Sequence, residues 1–315
     1  MAVGHLAELI EAFFGDGKKF GIKIEYSRED KPLGTAAPLS LIKNLPETFM
    51  VMNGDVLTSL NYKKLVQYHI KNKGMVTVAM HKKEFNIDLN QANYFAGHSL
   101  GEYSALTCAN ALQFEEAVRL LHARGKSMQE AVPSGKGAML AVLGLKVEEI
   151  LEQINSISIN GTCEVANDNS PGQIVISGDK DSIEILQDSL KKKSIRGIIL
   201  PVSAPFHCSL MESAEKKMSQ IITESLFKDP KPSIISNVTA KAENKVNKIK
   251  ELLIKQITSR VKWRESVEYM INNGVNEFIE IGPGKVLSGL VKRINKDVKV
   301  FNINFIDDIT NYINK

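Results

Sequence analysis

The pentapeptide Gly97-His98-Ser99-Leu100-Gly101 has the Gly-x-Ser-x-Gly spacing of a nucleophile elbow, and the helix-forming run Glu102 to Asn110 follows it directly. In such an elbow the serine sits on a sharp strand-to-helix turn that exposes its hydroxyl, and glycines on either side leave room for the backbone to cross. The helix that starts there aims its free amides and positive dipole end at the serine. Ala92-Asn93-Tyr94-Phe95-Ala96 supplies the preceding apolar strand, so Ser99 is the candidate nucleophile. A serine hydroxyl is a weak nucleophile and needs a base. Of the six histidines, His207 answers best. It stands in the loop Pro201-Val202-Ser203-Ala204-Pro205-Phe206-His207-Cys208, where two prolines restrict the approach to the imidazole. His98 adjoins the nucleophile on a turn where neighbouring side chains diverge, and is expected to shape the elbow instead.

Two different stretches position these residues, and they join near 85 to 92. From 1 to 85 the pattern predicts a helix at His5–Phe14, a strand at Ile22–Tyr26, a further helix, a strand at Phe49–Asn53 ending in Gly54-Asp55, a helix to about Lys71 and a strand at Met75–Met80. Such alternation implies a parallel sheet, here a Rossmann-like fragment. A carboxylate at the end of a buried strand is placed to hold a divalent metal beside a phosphate, which makes Asp55 a metal candidate; the other reading is a strand-end carboxylate without a metal. From 86 onward, helices are predicted near 112–131, 147–154, 180–193, 210–225, 247–259 and 264–273, with strands near 137–143, 173–177, 196–202, 232–236 and 277–281. Residues 134 to 203 alternate strand and helix without catalytic residue types, as a small inserted subdomain does.

Composition narrows the classes. With 315 residues, 43% hydrophobic and 24% charged, the chain is long enough for two domains and reads as a folded globular protein. A net charge of +4 and 6% aromatic residues give no basic, aromatic-interleaved stripe for nucleic acid. No apolar run approaches the roughly 18 residues of a membrane span, and the N-terminus lacks the order of a signal peptide, so a cytoplasmic location is expected. Cys108, Cys163 and Cys208 are too scattered for a zinc site and fit a reducing compartment, Cys208 as a small buried residue.

Five motifs in order, namely Gly97 to Leu106, Arg124-Gly125-Lys126-Ser127-Met128-Gln129, Asn169-Ser170-Pro171-Gly172-Gln173, Phe206-His207 and Gly282-Pro283-Gly284-Lys285-Val286-Leu287, resemble those of the bacterial malonyl-CoA:acyl carrier protein transacylases. The resemblance spans about 86–315. It implies an α/β fold: a parallel-sheet acyltransferase core resembling an α/β-hydrolase (86–133 and 204–315) with a small ferredoxin-like α+β subdomain (134–203). It further implies that Ser99 carries the malonyl group as an ester, that His207 is base and then acid, and that the Leu100 amide faces the oxyanion. Arg124 would hold the malonyl carboxylate, since a guanidinium grips a carboxylate with two parallel hydrogen bonds that lysine does not reproduce. Gln256 occupies the position whose backbone carbonyl orients the histidine ring, in place of an acidic triad member.

Phe206 reads either as the residue limiting bulk at the acyl α-carbon or as a core aromatic. The implied partners are malonyl-CoA and acyl carrier protein, in fatty acid biosynthesis, with no cofactor and a monomeric chain. Lys126, Lys136, Lys191, Lys192, Lys193 and Arg196 are a face for an acidic carrier protein or simply a solvated one. One departure stands out: the family's opening strand and Gly-Gln-Gly-Ser-Gln loop, whose glutamine amide is the second oxyanion donor, has no counterpart in residues 1 to 91, which predicts slow transfer. The first stretch instead resembles a sugar-phosphate nucleotidyltransferase through Lys31-Pro32-Leu33-Gly34-Thr35-Ala36 and Asn53-Gly54-Asp55. Gly34, Thr35 and Asp55 would be its site positions, without that family's Gly-rich loop or second half. The alternatives are therefore an α/β esterase, a nucleotidyltransferase and a non-catalytic fusion of two truncated domains.

Overall fold

The computed structural model describes residues 2–3, 7–28, 41–42, 45–51, 60–72, 91–202 and 204–313. The chain divides into two compact units, 1–82 and 83–315. In the first, β1 (Ala2–Val3) pairs in parallel with β2 (Ser27–Arg28), and the helices are α1 (Ala7–Phe14) and α2 (Tyr62–Asn72). Both helices fall where the sequence predicts them. The strand expected at 22–26 does not form; pairing begins only at Ser27. Gly15, Gly17 and Gly21 all take positive φ around a short turn at Lys18–Phe20, so the chain is still coiling where extension was expected. Residues 49–51 likewise form no strand. Gly34, Thr35, Asp55 and the strand expected at Met75–Met80 lie outside the described residues.

Among the described residues, the second unit holds three sheets. β4 (Gly137–Leu143), β5 (Cys163–Ser170), β6 (Gln173–Asp179) and β7 (Arg196–Ile199) form an antiparallel sheet in the order β5-β6-β4-β7, with α5 (Val147–Asn155) and α6 (Lys180–Lys192) between strands. This βαββαβ order is the ferredoxin-like one. Alternation along β4 does the sorting. Leu140 and Val142 face a core with Ile150, Ile183, Leu186 and Leu190 of the two helices, while Met139 and Ala141 face the opposite side with Phe206. Sequence patterning missed β5 because its second half, Asn167 to Ser170, is polar. Those side chains are nevertheless buried, since Asp168 and Asn169 find polar partners on other elements of the unit.

The rest of the unit is helix packed on short parallel strands. β3 (Phe95–Ala96) pairs in parallel with β8 (Ile234–Ile235), which pairs with β9 (Ala242–Glu243); β10 (Glu277–Ile281) pairs in parallel with β11 (Lys299–Ile303). α3 (Gly101–Cys108), α4 (Phe114–Ala131), α7 (Glu212–Glu224) and α8 (Val246–Gln256) enclose one core through residues such as Leu106, Leu120, Met218 and Leu253. α9 (Trp263–Asn272) and α10 (Val286–Ile294) enclose another, and there both sheets contribute: Ala96 and Ile235 from one, Phe278 and Val300 from the other. Among the described residues no strand joins β3 to β10. The strand expected over 92–96 shrinks to two residues, Phe95–Ala96.

Candidate active site

The elbow begins where β3 ends. Gly97 is required there, because a Cβ would lie 1.9 Å from the Gly101 carbonyl oxygen. Gly101 itself is not, since a Cβ on it would meet nothing within 4 Å, so only one of the two motif glycines answers the expected steric need. Ser99 takes a left-handed φ of 54°, a conformation that costs a non-glycine residue roughly 1 to 3 kcal/mol and persists only if held. Asn237 holds it. Just beyond the β3–β8 pairing, its side chain imitates a further strand residue: Nδ2 donates to the Gly97 carbonyl (2.8 Å) and Oδ1 accepts the Ser99 N–H (2.7 Å). Gln256 Nε2 donates to the Ser99 carbonyl (3.1 Å) and completes the clamp.

His207 reaches this turn from the loop after β7, with Nε2 2.7 Å from Ser99 Oγ. Its Nδ1 lies 2.8 Å from the Gln256 backbone carbonyl, which can only accept, so the proton is on Nδ1 and Nε2 is free to receive one. Burial, and next the Arg124 charge, push the imidazole down to about 3, which keeps it a neutral acceptor near neutrality. Pro205 stiffens the loop as expected, its ring fitting where Gly137 has no side chain: a Cβ there would lie 2.3 Å from Pro205 Cγ. Arg124, from the middle of α4, donates through Nη2 to Ser99 Oγ and to Gln256 Oε1, both at 2.9 Å. Its Nε is buried without a partner among the described residues, so part of the guanidinium is unspent.

Sequence reasoning missed Glu102 and Asn237. Glu102 lies one helical turn beyond Ser99 and is 1% exposed; its Oε2 accepts the Asn237 N–H (3.1 Å) and Gln256 Nε2 (2.8 Å). Burial pushes its carboxyl up to about 7. The i, i+3 spacing from the nucleophile was a usable signal for Glu102; a lone asparagine in a loop gave none for Asn237. His98 shapes the elbow as expected, with Nε2 2.8 Å from Asn169 Oδ1 and its ring 5.7 Å from that of Trp263. Leu100 is 58% exposed and its amide makes no hydrogen bond among the described residues. Phe206 is half-buried between two cores, and Cys208 is buried with Sγ donating to the Pro205 carbonyl. Of the basic residues, Lys126 pairs with Glu130 at 4.0 Å, and Lys136, Lys191, Lys192, Lys193 and Arg196 are exposed. No cluster of metal-ligating side chains and no helix long and apolar enough to cross a membrane occurs among the described residues.

Fold and site together define the class, an α/β acyltransferase with a hydrogen-bonded serine and histidine. The acyl transferase domain family matches residues 90–305, and the nucleotidyl transferase family matches residues 3–86. The malonyl CoA-acyl carrier protein transacylase of Staphylococcus aureus (strain MRSA252) is 44% identical over 219 residues, 69% of this chain and 71% of that protein; its namesake in Bacillus subtilis (strain 168) is 45% identical over 213 residues, 67% of each. The chain belongs to the family of the malonyl CoA-acyl carrier protein transacylases. Solved structures agree: the transacylase of that name from Coxiella burnetii superposes with a TM-score of 0.68 at 40% identity, covering 70% of both chains. A malonyl-transacylase solved in complex with its type II acyl-carrier protein gives 0.68 at 39% identity, over 70% of this chain and 72% of that one.

Proposed function

We propose that the chain transfers malonyl groups from malonyl-CoA to an acyl carrier protein through a malonyl-serine ester, as in fatty acid biosynthesis, and that it does so as a cytoplasmic monomer. The observation that carries this reading is the double contact on one oxygen: Ser99 Oγ lies 2.7 Å from His207 Nε2 and 2.9 Å from Arg124 Nη2. In the first half-reaction Oγ attacks the thioester carbon while its proton passes to Nε2. The oxyanion so formed meets the Leu100 amide, and its collapse expels the CoA sulfur, which takes the proton back from Nε2. In the second half a pantetheine thiol gives its proton to Nε2 and attacks the ester, and the departing Ser99 Oγ takes that proton back. The imidazolium is sustained by the Gln256 carbonyl on Nδ1, and Arg124 receives the malonyl carboxylate. Phe206, next to the base, limits bulk at the acyl α-carbon, and the exposed lysines at the end of α6 meet the carrier. Residues 86–133 with 204–315 are the large subdomain and 134–203 the small one. Residues 1 to 91 contain no Gly-Gln-Gly-Ser-Gln loop to add a second amide to that of Leu100, so transfer is slow.

Intact-mass measurement after incubation with malonyl-CoA tests the reading. A single malonyl adduct is expected, absent in Ser99→Ala and forming about a hundredfold to ten-thousandfold more slowly in His207→Ala. An adduct of normal yield in Ser99→Ala overturns the assignment.

A further inference from the structure

Glu102 belongs to neither the reacting pair nor the carboxylate clamp, yet both depend on the residues it holds. Its single oxygen Oε2 receives the Asn237 backbone N–H and the Gln256 side-chain N–H. Asn237 fixes both sides of the elbow at Gly97 and Ser99. Gln256 orients the base through its backbone carbonyl and Arg124 through Oε1. We propose that Glu102 is a positioning residue for acyl transfer: one buried carboxylate that sets, through Asn237 and Gln256, the geometry of nucleophile, base and clamp together.

The proposal rests on the transacylase reading above. Its physical basis is that a side-chain amide turns about its last bond unless its ends are held. Gln256 Oε1 is held by Arg124 and Nε2 by Glu102 and the Ser99 carbonyl, so the carboxylate fixes which end of the amide faces which group. Ionised, Glu102 makes the stronger charge-assisted bonds; protonated, it makes weaker ones. Arg124 of α4, Tyr103 of α3 and Glu243 of β9 are the titratable and charged groups that face it. With its carboxyl raised to about 7, the change between the two strengths falls near neutrality.

The test follows the rate of malonyl-serine formation against pH, on both sides of neutrality, in the full-length protein and in Glu102→Gln, Glu102→Ala and Glu102→Asp. The unaltered protein is expected to acylate faster as pH rises through about 7. Glu102→Gln, which keeps the acceptor without the charge, should run at the low-pH rate with no inflection. Glu102→Ala should lose about a hundredfold in the rate of malonyl-serine formation, the size of an ångström-scale misplacement. If the alanine variant does not fold, Glu102→Asp carries the comparison, with its acceptor drawn back by one methylene and the same loss expected. An inflection retained in Glu102→Gln, or a folded alanine or aspartate variant acylating within about threefold of the unaltered protein, overturns the proposal. Absence of any adduct in the unaltered protein overturns the transacylase reading and this role with it, whereas a normal adduct with indifferent variants removes only the role.

Discussion

A single oxygen, Ser99 Oγ, gives its proton toward His207 and accepts one from Arg124, so a positive charge rests on the hydroxyl before any substrate arrives. On the proposed reading Arg124 therefore has two uses, one at the nucleophile for every acyl donor and one at the carboxylate that only malonyl carries. Arg124→Ala should slow acylation by both malonyl-CoA and acetyl-CoA, but malonyl by a further ten- to hundredfold, the worth of a charge-assisted hydrogen bond at about 1.5 to 3 kcal/mol. Parallel competition assays with the two donors read the difference, and an equal loss for both would leave Arg124 without a part in substrate choice. The buried ionisable groups make a second prediction, on stability. The native state raises Glu102 from 4.5 to about 7, so its contribution is complete below 4.5 and is lost as pH climbs through 7. His207 is lowered from 6.5 to about 3, so its contribution is complete above 6.5 and is lost as pH falls toward 3. Between 4.5 and 6.5 the two slopes oppose one another. In Glu102→Gln only the second remains, and its stability relative to the unaltered protein should climb with pH by up to about 1.4 kcal/mol per unit in urea melts. A difference that does not change with pH would mean that Glu102 titrates normally. Ser99 and His207 were legible from the elbow and the prolyl loop, and Arg124 only through the family resemblance. Asn237 was not, because its role is to extend a strand pairing that exists only once the chain has folded.

α5 and α6 were read closely, 147–154 against Val147–Asn155 and 180–193 against Lys180–Lys192, because their apolar period repeats, whereas α10, as long as α5, was not expected. Strands fared worse. β3 and β8 are two residues each, too short for alternation to register, and polar β5 concealed its burial behind partners such as Arg264 that lie far along the chain. Even so, β4 carries more of the site than its apolar sequence suggests. Gly137, at its start, is where the Pro205 ring rests, and Pro205 is two residues from the base. A proline ring cannot turn aside as a flexible side chain can, so Gly137→Ala should move the loop and cost about a hundredfold in acylation. Gly101→Ala, where space is open, should leave the rate within about threefold. Adduct formation in the two folded variants separates these effects, and a Gly137→Ala protein at full rate would show that the loop does not need this seat.

The second unit carries the whole acyltransferase match, and that match leaves nearly a third of the Staphylococcus aureus relative's length uncovered, since it spans 71% of that protein. In structural terms, the β3-β8-β9 and β10-β11 sheets share one core without a joining strand among the described residues. Replacing residues 1–85 with a strand followed by a Gly-Gln-Gly-Ser-Gln loop should pair the open edge and supply an amide opposite that of Leu100. The gain expected is about a hundredfold to a thousandfold in transfer, the usual worth of one oxyanion donor, with a higher melting temperature. Equal rates before and after the exchange would mean that the second donor already comes from within the present chain.

The site gathers residues 99, 102, 124, 207, 237 and 256, drawn from five separate stretches of helix and loop, and Asn237 and Gln256 brace Ser99 in its strained backbone conformation. On the proposed reading, a molecule in which these stretches have come apart has no reacting serine. One malonyl group per chain is then a census: the fraction of protein that takes up the mass of one malonyl counts the molecules in a preparation whose second unit is fully assembled, whatever the rate at which each of them works.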